Sequence, residues 1–420
     1  MLFAALLPLY AGAVSLEECY SLARENYPLI RQYDLVRNLE KFNFANAATG
    51  YMPQIQFSGQ ATWQTDVVEF PEEMTKLYEM AGLQMKGLSR DQYKFMLQIS
   101  QTIWDGGATR ARREDAKADG EVSRLNVEKE MEALKSRVNQ IYFGILALQE
   151  NLETIGSSEE LLRQNLAVAE SGEKNGVMMR SDIDRIRVEL LSLQQKRTEL
   201  SKGLELYRNV LGLMTGREFG DEENFETPAV PDIDRTMNKR IELSLFDAQT
   251  TQALSQKRMV NSSVMPHFDV FAQGWYGKPG LNMFNDMMYN KFSWNAIVGV
   301  RMVWNISSFY TRKNSVRIIE NRASMLQNQK DVFKWNMSQQ QMQIEKEVEK
   351  MEELQASDRE IADLRRSIRE TSESKYRNGV ITVSDLLHDI TEENSAERQC
   401  RIRSLDALRN IYDLKVLLGQ

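Results

Sequence analysis

Residues 94–110, KFMLQISQTIWDGGATR, contain the two patterns that decide the fold of this chain. Up to Trp104 apolar and polar side chains alternate, which is the period of a β-strand with two unlike faces. From Asp105 onward glycines interrupt the alternation, and a long helical pattern begins. The two faces of this strand are formed by Phe95, Leu97, Ile99 and Ile103 on one side and by Gln98, Ser100 and Thr102 on the other.

Three further segments alternate in the same way, at about 53–64, 266–276 and 293–304. With 94–104 they predict four strands of about ten residues, the length that a tilted strand needs to cross a membrane. A membrane barrel has aromatic girdles, and aromatic residues lie toward the ends of these strands: Trp63, Trp104, Tyr276, Trp294 and Trp304. A soluble hairpin with one buried face shows the same alternation, so the strands alone leave both interpretations open.

Long helices account for most of the remaining chain. No proline occurs in 72–227 or 280–420, and from Val127 to Ile155 apolar residues recur at alternating spacings of four and three. This is the heptad seam of a coiled coil. The segments 106–174 and 307–376 are each long enough for a helix of roughly 100 Å. The seam of the second half contains Lys330 and Gln341, which predicts a more polar packing there.

The chain is duplicated. The residues around Met52-Pro53, Trp104-Asp105 and Asn175-Gly176 recur in the same order around Met265-Pro266, Trp304-Asn305 and Asn378-Gly379. We therefore predict a first repeat at 14–216, with a helix, two strands and a helical hairpin at 106–214. A linker at 217–237 follows, and a second repeat at 238–420 has its hairpin at 307–418.

Composition excludes several classes of function. The net charge of -7, with both signs interspersed, provides no basic field for a phosphate backbone, so no nucleic acid is expected as a partner. With only two Cys and two His in 420 residues, the chain has no set of zinc ligands and little material for a His-based triad. We expect no enzyme, no catalytic residues, no metal and no cofactor.

The first residues resemble an export signal. Residues 1–14, MLFAALLPLYAGAV, are uncharged, and Ala11-Gly12-Ala13 provides the small residues of a cleavage site. We expect a signal peptide at 1–13; a buried N-terminal helix is the alternative.

Both long helices are predicted to end in a turn of the same composition. Asn175-Gly176-Val177 and Asn378-Gly379-Val380 suit a left-handed helix end, and Asp182 and Asp385 follow in the first turn of a returning helix. An acidic residue at a helix N-terminus needs no further function, because the helix dipole favours it there.

The order of these parts resembles the TolC-type outer-membrane efflux protein family. The resemblance rests on the M-P strand, W-D-G-G-x-T-R, the helix of about 68 residues, N-G-V-x-x-x-S-D and the terminal L-x-x-G, most of them present twice. It implies a mainly α chain with a membrane β-barrel. In such a homotrimer each chain gives four strands to a shared 12-stranded outer-membrane barrel, and long coiled-coil hairpins form a trimeric α-barrel tunnel in the periplasm.

The resemblance also implies a function and its sites. The chain would be the passive exit duct of a tripartite efflux or type I secretion system, docked to a periplasmic membrane-fusion adaptor and, indirectly, to an inner-membrane pump. Two turns would contact the adaptor: the first contains Asn175, Gly176, Val177 and Asp182, and the second contains Asn378, Gly379 and Val380. The pore constriction would be formed by Tyr376, Asp385 and His388. The alternative is a periplasmic coiled-coil scaffold or an adaptor without a channel.

Overall fold

The computed structural model describes residues 13–84, 87–176, 178–221 and 223–420. The predicted signal peptide therefore lies, except for Ala13, outside the described residues. The helices are α1 (Leu16–Asn26), α2 (Ile30–Ala48), α3 (Glu72–Met80), α4 (Ala108–Lys174), α5 (Arg180–Thr215), α6 (Ile241–Ser262), α7 (Met283–Tyr289), α8 (Ser308–Arg377) and α9 (Val383–Leu417). The strands are β1 (Gln54–Trp63), β2 (Asp91–Trp104), β3 (His267–Lys278) and β4 (Ser293–Val303). The prediction of a mainly helical chain with four strands is confirmed.

The chain divides into two compact units. The sheet unit comprises Val36–Ser123 and Phe246–Asn328, and the helical unit comprises the described residues before Val36 together with Arg124–Leu245 and Gln329–Gln420. Four helices, α2, α4, α6 and α8, contribute residues to both units, so the units do not coincide with segments of contiguous sequence.

The sheet unit is built on one antiparallel sheet of order β1-β2-β3-β4. Its register aligns the apolar positions of all four strands: Ile55 pairs with Ile99, Ile99 with Ala272, and Ala272 with Val298. Since side chains alternate between faces, this register produces one apolar face and one polar face. The β1–β2 and β3–β4 connections lie at one end of the sheet, whereas α2, α4, α6 and α8 join it at the other.

The helical unit has its main core where α1, α4, α5 and α9 meet. Tyr142 on α4 is fully buried there, and its hydroxyl oxygen lies 2.7 Å from the carbonyl oxygen of Val14 and 2.8 Å from that of Glu226, which share its one proton. These bonds tie the segment before α1 and the linker to the middle of α4. The apolar residues of this core include Leu16, Leu134, Val138, Ile145, Leu204, Leu211 and Leu408.

The two helical hairpins differ in how they are held. The packing of α4 on α5 is mainly apolar, with a few buried polar residues such as Asn165 and Glu159. Arg197 Nη1 on α5 lies 3.0 Å from Oε2 of the buried Glu159. Across α8 and α9, ion pairs replace much of the apolar seam, and Arg369 Nε lies 2.8 Å from Oε2 of Glu393. The second hairpin is thus the more polar of the two, as its sequence predicts.

Candidate functional site

The sheet exposes its apolar face. Phe57, Trp294 and Val298 are 71%, 81% and 75% exposed, although each belongs to the face that alternation makes apolar. The polar face is cross-linked by side chains, with Gln273 Nε2 donating to Gln98 Oε1 at 2.8 Å. Water solvates such a polar face but not a contiguous apolar face of this width.

Aromatic rings border the apolar face at both ends. At the end with the strand connections, the ring of Tyr276 lies 5.4 Å from that of Phe292 and 5.0 Å from that of Trp294. At the end that joins the helices, the rings of Trp104 and Phe268 are 5.8 Å apart. Two aromatic borders separated by aliphatic residues match the two interfaces of a lipid bilayer.

Both edges of the sheet are open in a single copy. Within the described ranges, β1 pairs with β2 alone and β4 pairs with β3 alone. The outer backbone groups of β1 and β4 therefore need partners from outside this chain.

The first turn connects α4 to α5. Asn175 and Gly176 form it, with Gly176 at φ 75°, a conformation that costs glycine little. Asp182 accepts a hydrogen bond from the backbone nitrogen of Met179 at 3.4 Å and so caps α5. Val177 is outside the described residues.

The second turn connects α8 to α9 and is closed by several hydrogen bonds. Gly379 has φ 70°, and the backbone nitrogen of Val380 donates to the carbonyl of Lys375 at 2.9 Å, closing the end of α8. Asn378 supports the same end, because its Nδ2 donates to the carbonyl of Ser374 at 2.8 Å.

Asp385 lies at the start of α9 and is exposed together with His388. Its carboxylate accepts from the Thr382 hydroxyl at 2.7 Å and from the Thr382 backbone nitrogen at 3.0 Å, a reciprocal capping box. The hydrogen bond from the Thr382 hydroxyl, then the bond from its backbone, and further the proximity of His388, hold the pKa of Asp385 below its ordinary value. The residue is thus an anion that caps a helix and also faces solvent.

Tyr376 has a different environment from Asp385. Its side chain is 3% exposed and belongs to an apolar cluster that includes Leu162, Ile186 and Leu386. Its hydroxyl donates to Met178 Sδ at 3.5 Å, so the ring joins the second turn to the first. Burial, and after it the charge of Asp182, raises the pKa of Tyr376. In a single copy this ring packs the turns together and leaves almost no surface for a pore.

Sequence reasoning identified the turn glycines and acids but missed their partners. Thr382 could have been found from its capping-box spacing to Asp385, T-x-x-D. Met178 carries no local signal, because its contact with Tyr376 spans 198 residues.

Within the part of the chain that the structure describes, no three His, Cys, Asp or Glu side chains come together as a possible metal site. None of the helices found in the described ranges is both long and apolar enough to cross a membrane.

Residues 19–216 match the model of the family described as outer membrane efflux protein. No curated protein sequence matches the chain.

Solved structures share the fold over nearly the whole chain. CusC, described as forming a transmembrane channel, aligns with a TM-score of 0.73 at 13% identity, covering 98% of this chain and 95% of CusC. The outer membrane protein VceC of Vibrio cholerae aligns at 0.68 and 13% identity, covering 96% and 94% of the two chains. The MtrE outer membrane channel of Neisseria gonorrhoeae aligns at 0.70 and 14% identity, covering 96% and 88%. At these identities the likeness concerns the fold.

Proposed function

Because residues 19–216 match the outer membrane efflux protein family, we propose that the chain belongs to this family and is the outer-membrane exit duct of an efflux or type I secretion system. The duct conducts cargo passively across the outer membrane and the periplasm. Its partners are outer-membrane lipid, two further copies of the chain, a periplasmic membrane-fusion adaptor and, through that adaptor, an inner-membrane pump.

The observation that carries this proposal is the exposed apolar face of the four-stranded sheet. Val298 and Val300 are exposed in the middle of β4, between the two aromatic borders. At about 25 cal/mol per Å² of apolar surface, such a face favours transfer from water into lipid. The opposite, polar face then lines an aqueous lumen.

The open edges of β1 and β4 require more than one copy. Four strands cannot close a barrel, and lipid does not satisfy free backbone groups. We propose that β4 of each copy pairs with β1 of the next and that three copies close the 12-stranded barrel of this family. Each of the two sequence repeats would contribute two strands to this barrel and one helical hairpin to the tunnel.

We propose that the helical unit forms the periplasmic tunnel and that its two turns close the tunnel entrance. Asp385 and His388 are exposed at the second turn, so three copies would place three such pairs around the axis. Three carboxylates there would attract cations. Tyr376 would contribute by fixing the shape of the turns. The turns themselves, with Gly176 and Gly379, would contact the adaptor.

A matched pair of strand variants tests the membrane proposal. Val298→Lys places a charge on the apolar face and should cost about 2–4 kcal/mol per copy at the bilayer midplane. Gln56→Lys places the same charge on the exposed polar face, opposite Gln98, and should be tolerated. Outer-membrane yield and the mass of the detergent-extracted particle report the result. A water-soluble monomer, or equal tolerance of both variants, would overturn the proposal and favour a scaffold.

The pore proposal is tested by conductance of the purified channel in a planar bilayer. Asp385→Asn removes the charge but keeps an oxygen for the cap, and Asp182→Asn does the same at the first turn. Cation preference and block by multivalent cations should weaken in Asp385→Asn and change less in Asp182→Asn. Unchanged selectivity in Asp385→Asn would return this residue to capping alone.

The alternative of a scaffold or adaptor without a channel is not favoured. Either protein would have to leave the apolar face of β1–β4 in water.

A further inference from the structure

One aromatic residue, Trp275, is buried on the polar face of the sheet. Trp275 is on the polar face, paired with Met96 on β2 and with Asn295 on β4, yet it is only 6% exposed in a single copy. Lys94 Nζ lies 4.5 Å from the centre of its indole ring. One lysine cannot bury a tryptophan to this extent, so other parts of the chain cover the polar face here.

The β3–β4 connection provides part of that cover. The backbone nitrogen of Leu281 donates to Asn295 Oδ1 at 2.7 Å, and Asn295 lies opposite Trp275 on the polar face. A Cβ on Gly280 would be 2.7 Å from Asn295 Nδ2, so the loop backbone lies directly against this side chain. The connection therefore folds over the polar face rather than continuing away from the strands.

A buried carboxylate holds this connection in its shape. Asp286 on α7 is 4% exposed and accepts a hydrogen bond from the backbone nitrogen of Gly280. Its neighbour Met287 is equally buried. The two residues give the connection an interior of its own, which an unstructured loop lacks.

The β1–β2 connection joins the same structure. Phe70 stacks on Phe284 of α7 with ring centres 6.1 Å apart and an interplanar angle of 28°. Leu88 is buried, and its backbone nitrogen donates to the carbonyl of Val68 at 3.0 Å. The two strand connections are thus packed on each other at the end of the sheet away from the helices.

We propose that these connections form a lid that folds inward over the outer mouth of the duct and sets the size of molecule that passes. The proposal rests on the proposed function, in which the polar face lines the lumen and the connections face the outside. Three lids around one axis would narrow the mouth, and Lys94 with Trp275 would lie beneath each lid. Passage of bulky cargo would require the Phe70–Phe284 contact to separate.

Thiol labelling of intact cells tests the lid without passing through the tunnel entrance. In a Cys400→Ser background, Lys94→Cys reports the polar face beneath the lid. Met80→Cys, at an 86% exposed position of the β1–β2 connection, reports the outer surface. The probe is a membrane-impermeant maleimide, used in a small form and as a polyethylene-glycol conjugate of protein size.

We expect Met80→Cys to react with both reagents and Lys94→Cys to react slowly, especially with the large one. Phe284→Ser removes the stacking contact between the two connections, and the fold should survive because Phe284 is exposed. This variant should speed the labelling of Lys94→Cys about fivefold, the factor expected for the loss of one aromatic pair. Asp286→Ala should do the same by releasing the connection.

The outcomes separate the two proposals. If Lys94→Cys reacts as fast as Met80→Cys with either reagent, or if neither loop variant changes its rate, the lid is overturned and the duct remains. If Met80→Cys reacts only after the cells are lysed, the connections do not face the outside and the proposed function itself fails.

Discussion

Substitutions at Gly379 should change the conformation of the second turn while lowering the stability of the fold only slightly. Gly379 has φ 70°, and a Cβ built on it meets no atom within 4 Å. Gly379→Ala therefore incurs only the cost of a left-handed conformation, about 1 kcal/mol per copy. Gly379→Asn should cost less, because asparagine tolerates this conformation.

Gly419 is the matched control, with nearly the same φ of 71°. There a Cβ would lie 2.7 Å from the carbonyl carbon of Lys239 and 2.8 Å from the backbone nitrogen of Arg240. Backbone cannot rotate away as a side chain can, so overpacking adds about 1–3 kcal/mol to the conformational cost. Gly419→Ala should therefore be the most destabilised of the three variants.

Thermal unfolding of the detergent-extracted protein, followed by its helical circular dichroism, measures this order. Export in cells measures function. If the second turn contacts the adaptor, Gly379→Ala should lose export while its thermal midpoint falls only slightly, and Gly379→Asn should restore part of that export. Equal destabilisation by Gly379→Ala and Gly419→Ala would refute the argument from open space, and full export in Gly379→Ala would refute the role of the turn.

Three further predictions concern the helical unit. Burial raises the pKa of the Asp413 carboxyl, so its ionised form costs stability above the folded-state pKa and this cost disappears in acid. Asp413→Asn should raise the thermal midpoint at about pH 7 and leave it unchanged near about pH 3; an equal rise at both would contradict this origin. Burial, more than the charge of Glu18, raises the pKa of the Cys19 thiol to about 12. An alkylating reagent should therefore modify Cys400 in the folded protein and Cys19 only after denaturation, as counted by mass spectrometry; early loss of the Cys19 thiol would argue against its burial. Glu393 is 6% exposed in its pair with Arg369, so Glu393→Ala should cost about 3 kcal/mol in urea unfolding. The double variant Arg369→Met with Glu393→Leu should recover most of the lost free energy of unfolding. No recovery would show that the loss in Glu393→Ala does not come from an unpaired buried charge.

Local sequence patterns were sufficient for the four strands and the long helices. Alternation over ten residues identifies a strand because the side-chain period of a strand is two, and the heptad seam from Val127 identifies α4 because its apolar residues follow the helical period. The turn glycines could be predicted as well, since Gly176 and Gly379 occupy positions that other residues enter only at a cost. The short helices α3 and α7 were not predicted, because one or two turns carry too little periodicity to recognise.

Contacts between distant segments had to come from the tertiary structure. The family resemblance assigned Tyr376 to the pore constriction, whereas its contact with Met178 of the other turn was visible only in the folded chain. Trp275 alternates onto a polar face and would be expected in water, yet it is buried, and a connection that begins only a few residues later bonds to Asn295 beside it. The sequence alone determined which backbone conformation each segment prefers, because those preferences depend on neighbours within one or two turns. The tertiary structure decided which side chains are buried, because burial depends on surfaces that meet only when segments far apart in the chain pack together.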